Sequence, residues 1–310
     1  MVVYFRCPEN SVPCGGIKKL YDHVDILNKN GIEAYVLHFD DTEAFRCNWF
    51  PNNTKITYDK TVIKEDDIVV FPEIYNHHAF NTVPKCKKVI FNQSCYNTFA
   101  PYGTINENTI FNYNNPDVIG IMVVSEDSKQ YLEMFLDRKI HRVHISIDFN
   151  KFFPIVEKKK QCCYMPRKNK QDVDQVISIL KLRGRLKDYK FIAIENMTEE
   201  ELIKTYQESE IFLSFSKNEG CAAPPLEAMA CGCTVIGYTG MGCREYFDLC
   251  HIVEHGDIID FVKRIEHVIK CELYIEEEDI NFIKQNYTKE IEENDILKFW
   301  NELLNKEGNK

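Results

Sequence analysis

The sequence predicts an α/β protein of two Rossmann-like, doubly wound parallel-sheet domains facing a cleft. Three observations carry that expectation. A chain of 310 residues exceeds what one hydrophobic core serves, at about 150 residues per domain. Short apolar runs alternate with helically spaced apolar residues, the pattern of a parallel sheet covered on both faces. The alternation breaks at 149–160, where Phe-Phe-Pro precedes Glu-Lys-Lys-Lys, and then restarts.

In the first half, residues 2–6 read as a buried strand. Ile17, Leu20, Val24 and Leu27 recur at helical spacing until Gly31 stops the helix. Strands follow at 34–39, 68–72, 88–92 and 118–124, and Ser125 caps a helix carrying Tyr131, Leu132 and Phe135. In the second half, 161–165, 190–194, 211–215, 234–238 and 251–253 read as strands. Helices run through Val173, Val176, Ile177 and Leu180, through Leu202 and Tyr206, and through Ile258, Phe261, Val262 and Ile265. A last helix at 288–304 places Ile296, Leu297, Trp300 and Leu303 on one side. The expected domains are 1–150, 151–287 and a C-terminal helical segment, 288–310.

Composition narrows the function. Hydrophobic residues make up 44% and charged residues 28%, as in an ordinary globular enzyme. The net charge of −10 opposes a global grip on nucleic acid. No apolar run is long enough for a signal peptide or a membrane span, so neither is expected, nor is tight membrane residence. The 13 cysteines contain no C-x-x-C pair and fit a reducing, cytoplasmic setting. The Asn-x-Ser/Thr sequons are then read as chance.

The most informative stretch runs from Ser216 through Glu219, Gly220, Cys221, Ala222, Ala223, Pro224, Pro225 and Glu227 to Gly232. It follows a strand and opens a helix. Prolines suit a first helical turn, and the amides at 221–223 with the positive helix end make an anion site. On their own, two glutamates here would be solvated surface groups.

Taken together, Glu219 to Gly232 resembles the E-x7-E signature of retaining glycosyltransferases of family four, which have the two-Rossmann GT-B fold. The resemblance continues through 233–247, covers Tyr164 to Lys168, and includes Pro13-Cys14-Gly15-Gly16-Ile17 in the first half. It implies a retaining, metal-independent transfer of sugar from a nucleoside-diphosphate sugar to a glycan or small-molecule acceptor. The first domain would take the acceptor and the second the donor. The C-terminal helix would pack back toward the first domain. Glu219 would bind the transferred sugar, Glu227 the ribose diol, and the amides of Cys221, Ala222 and Ala223, beside Gly220, the diphosphate and sugar. Arg167 and Lys168 would neutralise the diphosphate, and Gly15 and Gly16 would lie over the donor phosphates. Glu73 and Asn92, at strand ends of the first domain, are candidate acceptor contacts. No cofactor or metal is implied.

The chain departs from that family at 221–223, where Cys-Ala-Ala replaces the usual Phe-Gly-Leu, so the donor-sugar pose stays open. A sugar-nucleotide epimerase, a phosphorylase and a degenerate sugar-nucleotide-binding subunit also stay open, as does the oligomeric state. Two motifs are read as decoys. His251-Ile-Val-Glu254-His255 matches a zinc-protease pattern that requires a helix, but it falls on a strand. Asp172 and Asp174 match a metal clamp but lie within an amphipathic helix.

Overall fold

The computed structural model describes residues 1–39 and 45–308, with 306–308 traced through their backbone alone. The final two residues of the 288–310 segment therefore lie outside the described residues. The chain divides into two compact units, residues 1–143 with 293–310, and residues 144–292.

The first unit is built on a seven-stranded sheet. Its strands are β1 (Val3–Arg6), β2 (Ala34–Leu37), β3 (Ile56–Thr57), β4 (Ile68–Pro72), β5 (Lys87–Asn92), β6 (Val118–Val123) and β7 (His141–Arg142). They run parallel in the order β3-β2-β1-β4-β5-β6-β7. Every residue of β1 and β4 is buried, as a sheet covered on both faces requires. One face packs Tyr4, Val69, Phe71, Ile90 and Ile121 into a common core. Helix α1 (Gly15–Lys29) buries Ile17, Leu20, Val24 and Leu27, the predicted stripe. Helices α2 (His77–Phe80) and α3 (Glu126–Glu133) follow β4 and β6. The Ser125 side chain caps α3 by accepting from Ser128 N.

The second unit has a five-stranded parallel sheet in the order β12-β11-β10-β8-β9. These strands are β8 (Lys159–Tyr164), β9 (Lys190–Ala193), β10 (Ser209–Glu219), β11 (Thr234–Met241) and β12 (His251–Ile252). Helices α4 (Lys170–Arg183), α5 (Glu199–Glu208), α6 (Ala223–Ala230), α7 (Arg244–Phe247), α8 (Ile258–Cys271) and α9 (Glu277–Asn286) alternate with them. Val173, Val176 and Ile177 of α4 share a core with Leu213, Phe215, Ile236, Phe261 and Ile265. Helix α10 (Lys289–Gly308) begins in the second unit, and from Glu293 onward it belongs to the first. There Trp300 is fully buried and its ring lies 6.3 Å from that of Phe5.

The structure adds elements that the sequence pattern does not mark. Strands β3 and β7 have two residues each, too short for alternation to show. Helix α9 hides in what reads as an acidic run. Glu276 caps it in a reciprocal pair with Asp279, and the acids fill its first turn, where the helix dipole favours them. Strand β10 continues past 215 to Glu219. The H-x-x-E-H segment opens in strand β12 and continues as loop, not helix, with His251 Nε2 3.0 Å from the Leu273 carbonyl.

Candidate active site

In an open parallel sheet, ligands bind beyond the strand carboxyl ends at the point where strand order reverses. That point lies between β8 and β10 in the second unit and between β1 and β4 in the first. Most of the residues singled out from the sequence lie on or just after the elements that flank these two places, and Asn92 ends β5, one strand further on.

In the second unit, β8 ends in Tyr164, and Met165 and Pro166 are buried beneath a single tight turn, Pro166–Lys168. The turn exposes Arg167, while Lys168 is partly buried and ion-paired with Glu219 Oε1. Glu219 comes from the neighbouring strand, delivered by a bulge in β10 between Ser216 and Glu219. Asn218 makes the bulge possible with a left-handed φ of 51°, a conformation asparagine tolerates better than most residues.

Past Glu219 the backbone is gripped by the loop that ends β11. Gly242 N donates to the Glu219 carbonyl at 3.1 Å. A Cβ on Gly242 would stand 1.9 Å from the Gly220 carbonyl oxygen, so only glycine allows this backbone-on-backbone contact. The Ala222 peptide is held on both sides. Its N–H donates to Cys243 Sγ at 3.0 Å, and its carbonyl accepts from Tyr246 Oη at 2.7 Å. Of the three amides at 221–223, that of Ala222 is thus turned to a thiol. Helix α6 then starts at Ala223 with no side-chain cap and with prolines in its first turn. Glu227 is partly buried in its second turn.

In the first unit, Gly15 and Gly16 are the first residues of α1, whose N-cap position, Cys14, makes no side-chain cap. A Cβ on Gly15 would meet nothing within 4 Å. One on Gly16 would meet Gln93 Oε1 at 3.2 Å, because the Gln93 amide lies over it and donates Nε2–H to the Gly16 carbonyl at 3.1 Å. Gln93 N in turn donates to Glu73 Oε2 at 2.9 Å. Glu73 is buried at the end of β4, and burial pushes its carboxyl up to about 7 against the pull of the backbone N–H groups. Asn92 is fully buried, donating from Nδ2 to Thr98 Oγ1 and Tyr113 Oη, both at 2.7 Å.

Gln93, Asn218, Gly242 and Cys243 contribute as well, although the sequence motifs assign them no role. Gln93 is the first residue past a strand end, the one usable signal among them. Asp172 and Asp174 lie within α4, where Tyr238 Oη donates to Asp172 and Lys170 pairs with Asp174. Among the described residues, no group of three or more His, Cys, Asp or Glu side chains is placed to hold a metal ion. No helix of the described residues is long and apolar enough to cross a membrane. None of the 13 cysteines is joined in a disulfide.

Residues 185–289, which include β10, α6 and their bracing loop, match the family described as Glycosyl transferases group 1. The chain carries a glycosyl transferases group 1 domain. A relative from Actinobacillus pleuropneumoniae serotype 7 (strain AP76), named an alpha-1,6-glucosyltransferase, is 29% identical over 77% of this chain and 72% of its own. That relative, by its name, is a glycosyltransferase and not an epimerase. Two solved structures share the fold. Sucrose-phosphate synthase from Thermosynechococcus elongatus superposes with a TM-score of 0.69 at 10% identity, covering 98% of this chain and 99% of that one. Anabaena HepE, solved with UDP and glucose, gives 0.68 at 11% identity over the whole of both chains. The glycosyltransferase fold of this chain is thus GT-B, two parallel-sheet α/β domains of seven and five strands.

Proposed function

We propose that this glycosyltransferase is a retaining enzyme of family four, moving a hexose from a nucleoside-diphosphate sugar to an acceptor hydroxyl without a metal ion. The observation that carries this reading is the Lys168–Glu219 pair at the switch point of the second unit, beside exposed Arg167 and the uncapped start of α6. One cation of that cluster balances Glu219, and the other faces solvent. As the glycosidic bond loosens, negative charge grows on the departing diphosphate and positive charge on the anomeric carbon. Arg167, Lys168 and the turn at 220–223 answer the first, and Glu219 the second. Glu227 takes the ribose diol, as acidic groups do in related sheets.

Retention follows from attack on the face the diphosphate leaves. The acceptor oxygen bonds to the anomeric carbon, the bond to phosphate oxygen breaks, and the acceptor proton passes to that oxygen. The first unit supplies the acceptor side, with Gly15 and Gly16 near the phosphates and Glu73 toward the acceptor, while Asn92, fully buried on Thr98 and Tyr113, braces the strand end from inside instead of touching the acceptor. The named relative and the UDP-bound neighbour make UDP-glucose the first donor to try.

The test incubates the purified chain with UDP-glucose and other nucleotide sugars, with and without chelator. Nucleoside diphosphate release and product anomer are followed by NMR. Release that survives chelation, with a product anomer matching the donor, is expected. Inversion would overturn retention. Loss of turnover on chelation, restored by magnesium or manganese, would overturn the metal-free reading.

A further inference from the structure

Between β5 and β6 the first unit carries an aromatic cluster that the glycine turn and Glu73 do not use. Phe99 and Phe111 stack at 5.8 Å with 17° between their planes, and Tyr102 packs edge-on to Phe111 at 5.2 Å. Phe135, just beyond α3, closes the group at 5.1 Å from Phe99. The cluster borders an open groove of about 500 Å³, with Ile105, Thr104 and Asn114 along its rim. Its surroundings remain wet: Ile105 is 43% exposed, Ile110 59% and Phe135 39%. Apolar surface left together in this way marks a binding surface, and the volume falls in the range of small-molecule sites.

Charge and chemistry decide the occupant. From residue 94 to 128 the chain contains no lysine or arginine, while Glu107, Asp117, Glu126 and Asp127 are acidic. The neighbouring Arg138 is engaged by the Tyr113 and Val118 carbonyls, so an anionic lipid surface or a phosphorylated ligand meets a predominantly acidic loop. The residues at hand are aromatic faces, one hydroxyl and one amide. That combination suits a pyranose ring, whose C–H face packs on an aromatic side chain while its hydroxyls bond to amides and hydroxyls. We propose that this groove is a subsite for a neutral oligosaccharide, holding sugar units of the acceptor. The acceptor role rests on the transfer proposed above; the carbohydrate binding does not.

Saturation-transfer NMR with neutral gluco-, galacto- and N-acetylglucosamine hexasaccharides tests it, beside the same sugars carrying a phosphate. Wild type, Phe135→Ala and Phe111→Ala are compared, with melting curves to show that each is folded. Phe135 is partly solvent-facing, so its removal leaves the core intact. At least one neutral hexasaccharide should bind the wild type, with affinity falling tenfold or more in Phe135→Ala and UDP affinity unchanged. No binding by any neutral sugar, equal binding by the variant, or preference for the phosphorylated sugars would overturn the proposal. So would phosphatidylcholine vesicles binding in place of sugars. Hydrolysis of UDP-glucose in the same samples reports on the transfer reading alone, so the two can fail separately.

Discussion

Glu219 is balanced by Lys168, and on the proposed reading the same carboxylate also faces the transferred sugar. Replacing it with glutamine keeps the size and much of the hydrogen bonding but removes the charge. Turnover should fall by ~10²–10³, with nucleoside diphosphate affinity little changed in calorimetry. Equal losses in both would make it a nucleotide anchor instead. Glu73 supports a prediction about stability. Folded, it keeps its proton to about pH 7, against an ordinary value of 4.5. A carboxyl with a raised pKa favours the fold most below its unfolded value, and that contribution is lost as pH rises through the folded one. Glu73→Gln cannot titrate. Relative to wild type it should therefore gain stability between about pH 4.5 and 7, by up to about 3 kcal/mol, and no more above that. Urea denaturation at pH 5, 6 and 8 checks this. Asn92 and Gln93 mark the limit of sequence reading at this scale. Both end the same strand, and sequence alone gives no sign that Asn92 turns inward to Tyr113 while Gln93 reaches Gly16.

At the level of elements, glycines separate architecture from function. Gly242→Ala should disturb both, because its methyl would strike the Gly220 carbonyl. A loss of roughly 2–3 kcal/mol is expected, with a fall in turnover as Glu219 shifts; an unchanged melting temperature would contradict the packing. Gly15→Ala has room for its methyl at the start of α1. The melting temperature should hold or rise slightly, since alanine suits a helix better. Loss of transfer in that stable variant would point to close approach of a ligand, and full activity would remove Gly15 from the site. Long elements with steady periodicity, such as α1 and α4, were legible before any coordinates. Strand β10 was legible only to Phe215, because its last residues pair with β11 through a bulge that depends on Asn218. No hydrophobic pattern encodes such a bulge. The acidic start of α9 was missed for a related reason, since capping carboxylates and solvated ones look alike in sequence.

At the scale of the whole molecule, two sheets with different strand orders each carry candidate site residues near a reversal of that order, the place where open parallel sheets bind ligands. The first unit is discontinuous, closed by α10 from Glu293 onward. Trp300 is fully buried there, and Phe299 packs so near Gly120 that a Cβ at that glycine would lie 2.8 Å from its ring. Trp300→Ala should cost roughly 3–5 kcal/mol. In hydrogen exchange the loss of protection should appear in β1 and β6 and spare β10 and β11. Uniform loss across both units would mean that they unfold as one.

That discontinuity bears on how the protein is made. When residue 143 leaves the ribosome, the first sheet has all its strands but lacks the helix that covers Phe5 and Gly120. At about 5–20 residues per second, the 150 residues from 144 to 293 take roughly 8–30 s more to synthesise. Through that interval an apolar face of the nascent sheet stands open while the second unit, continuous in sequence, can finish first. The order of maturation would then be the reverse of the order of translation. Chaperone demand should accordingly fall on the first half of the polypeptide.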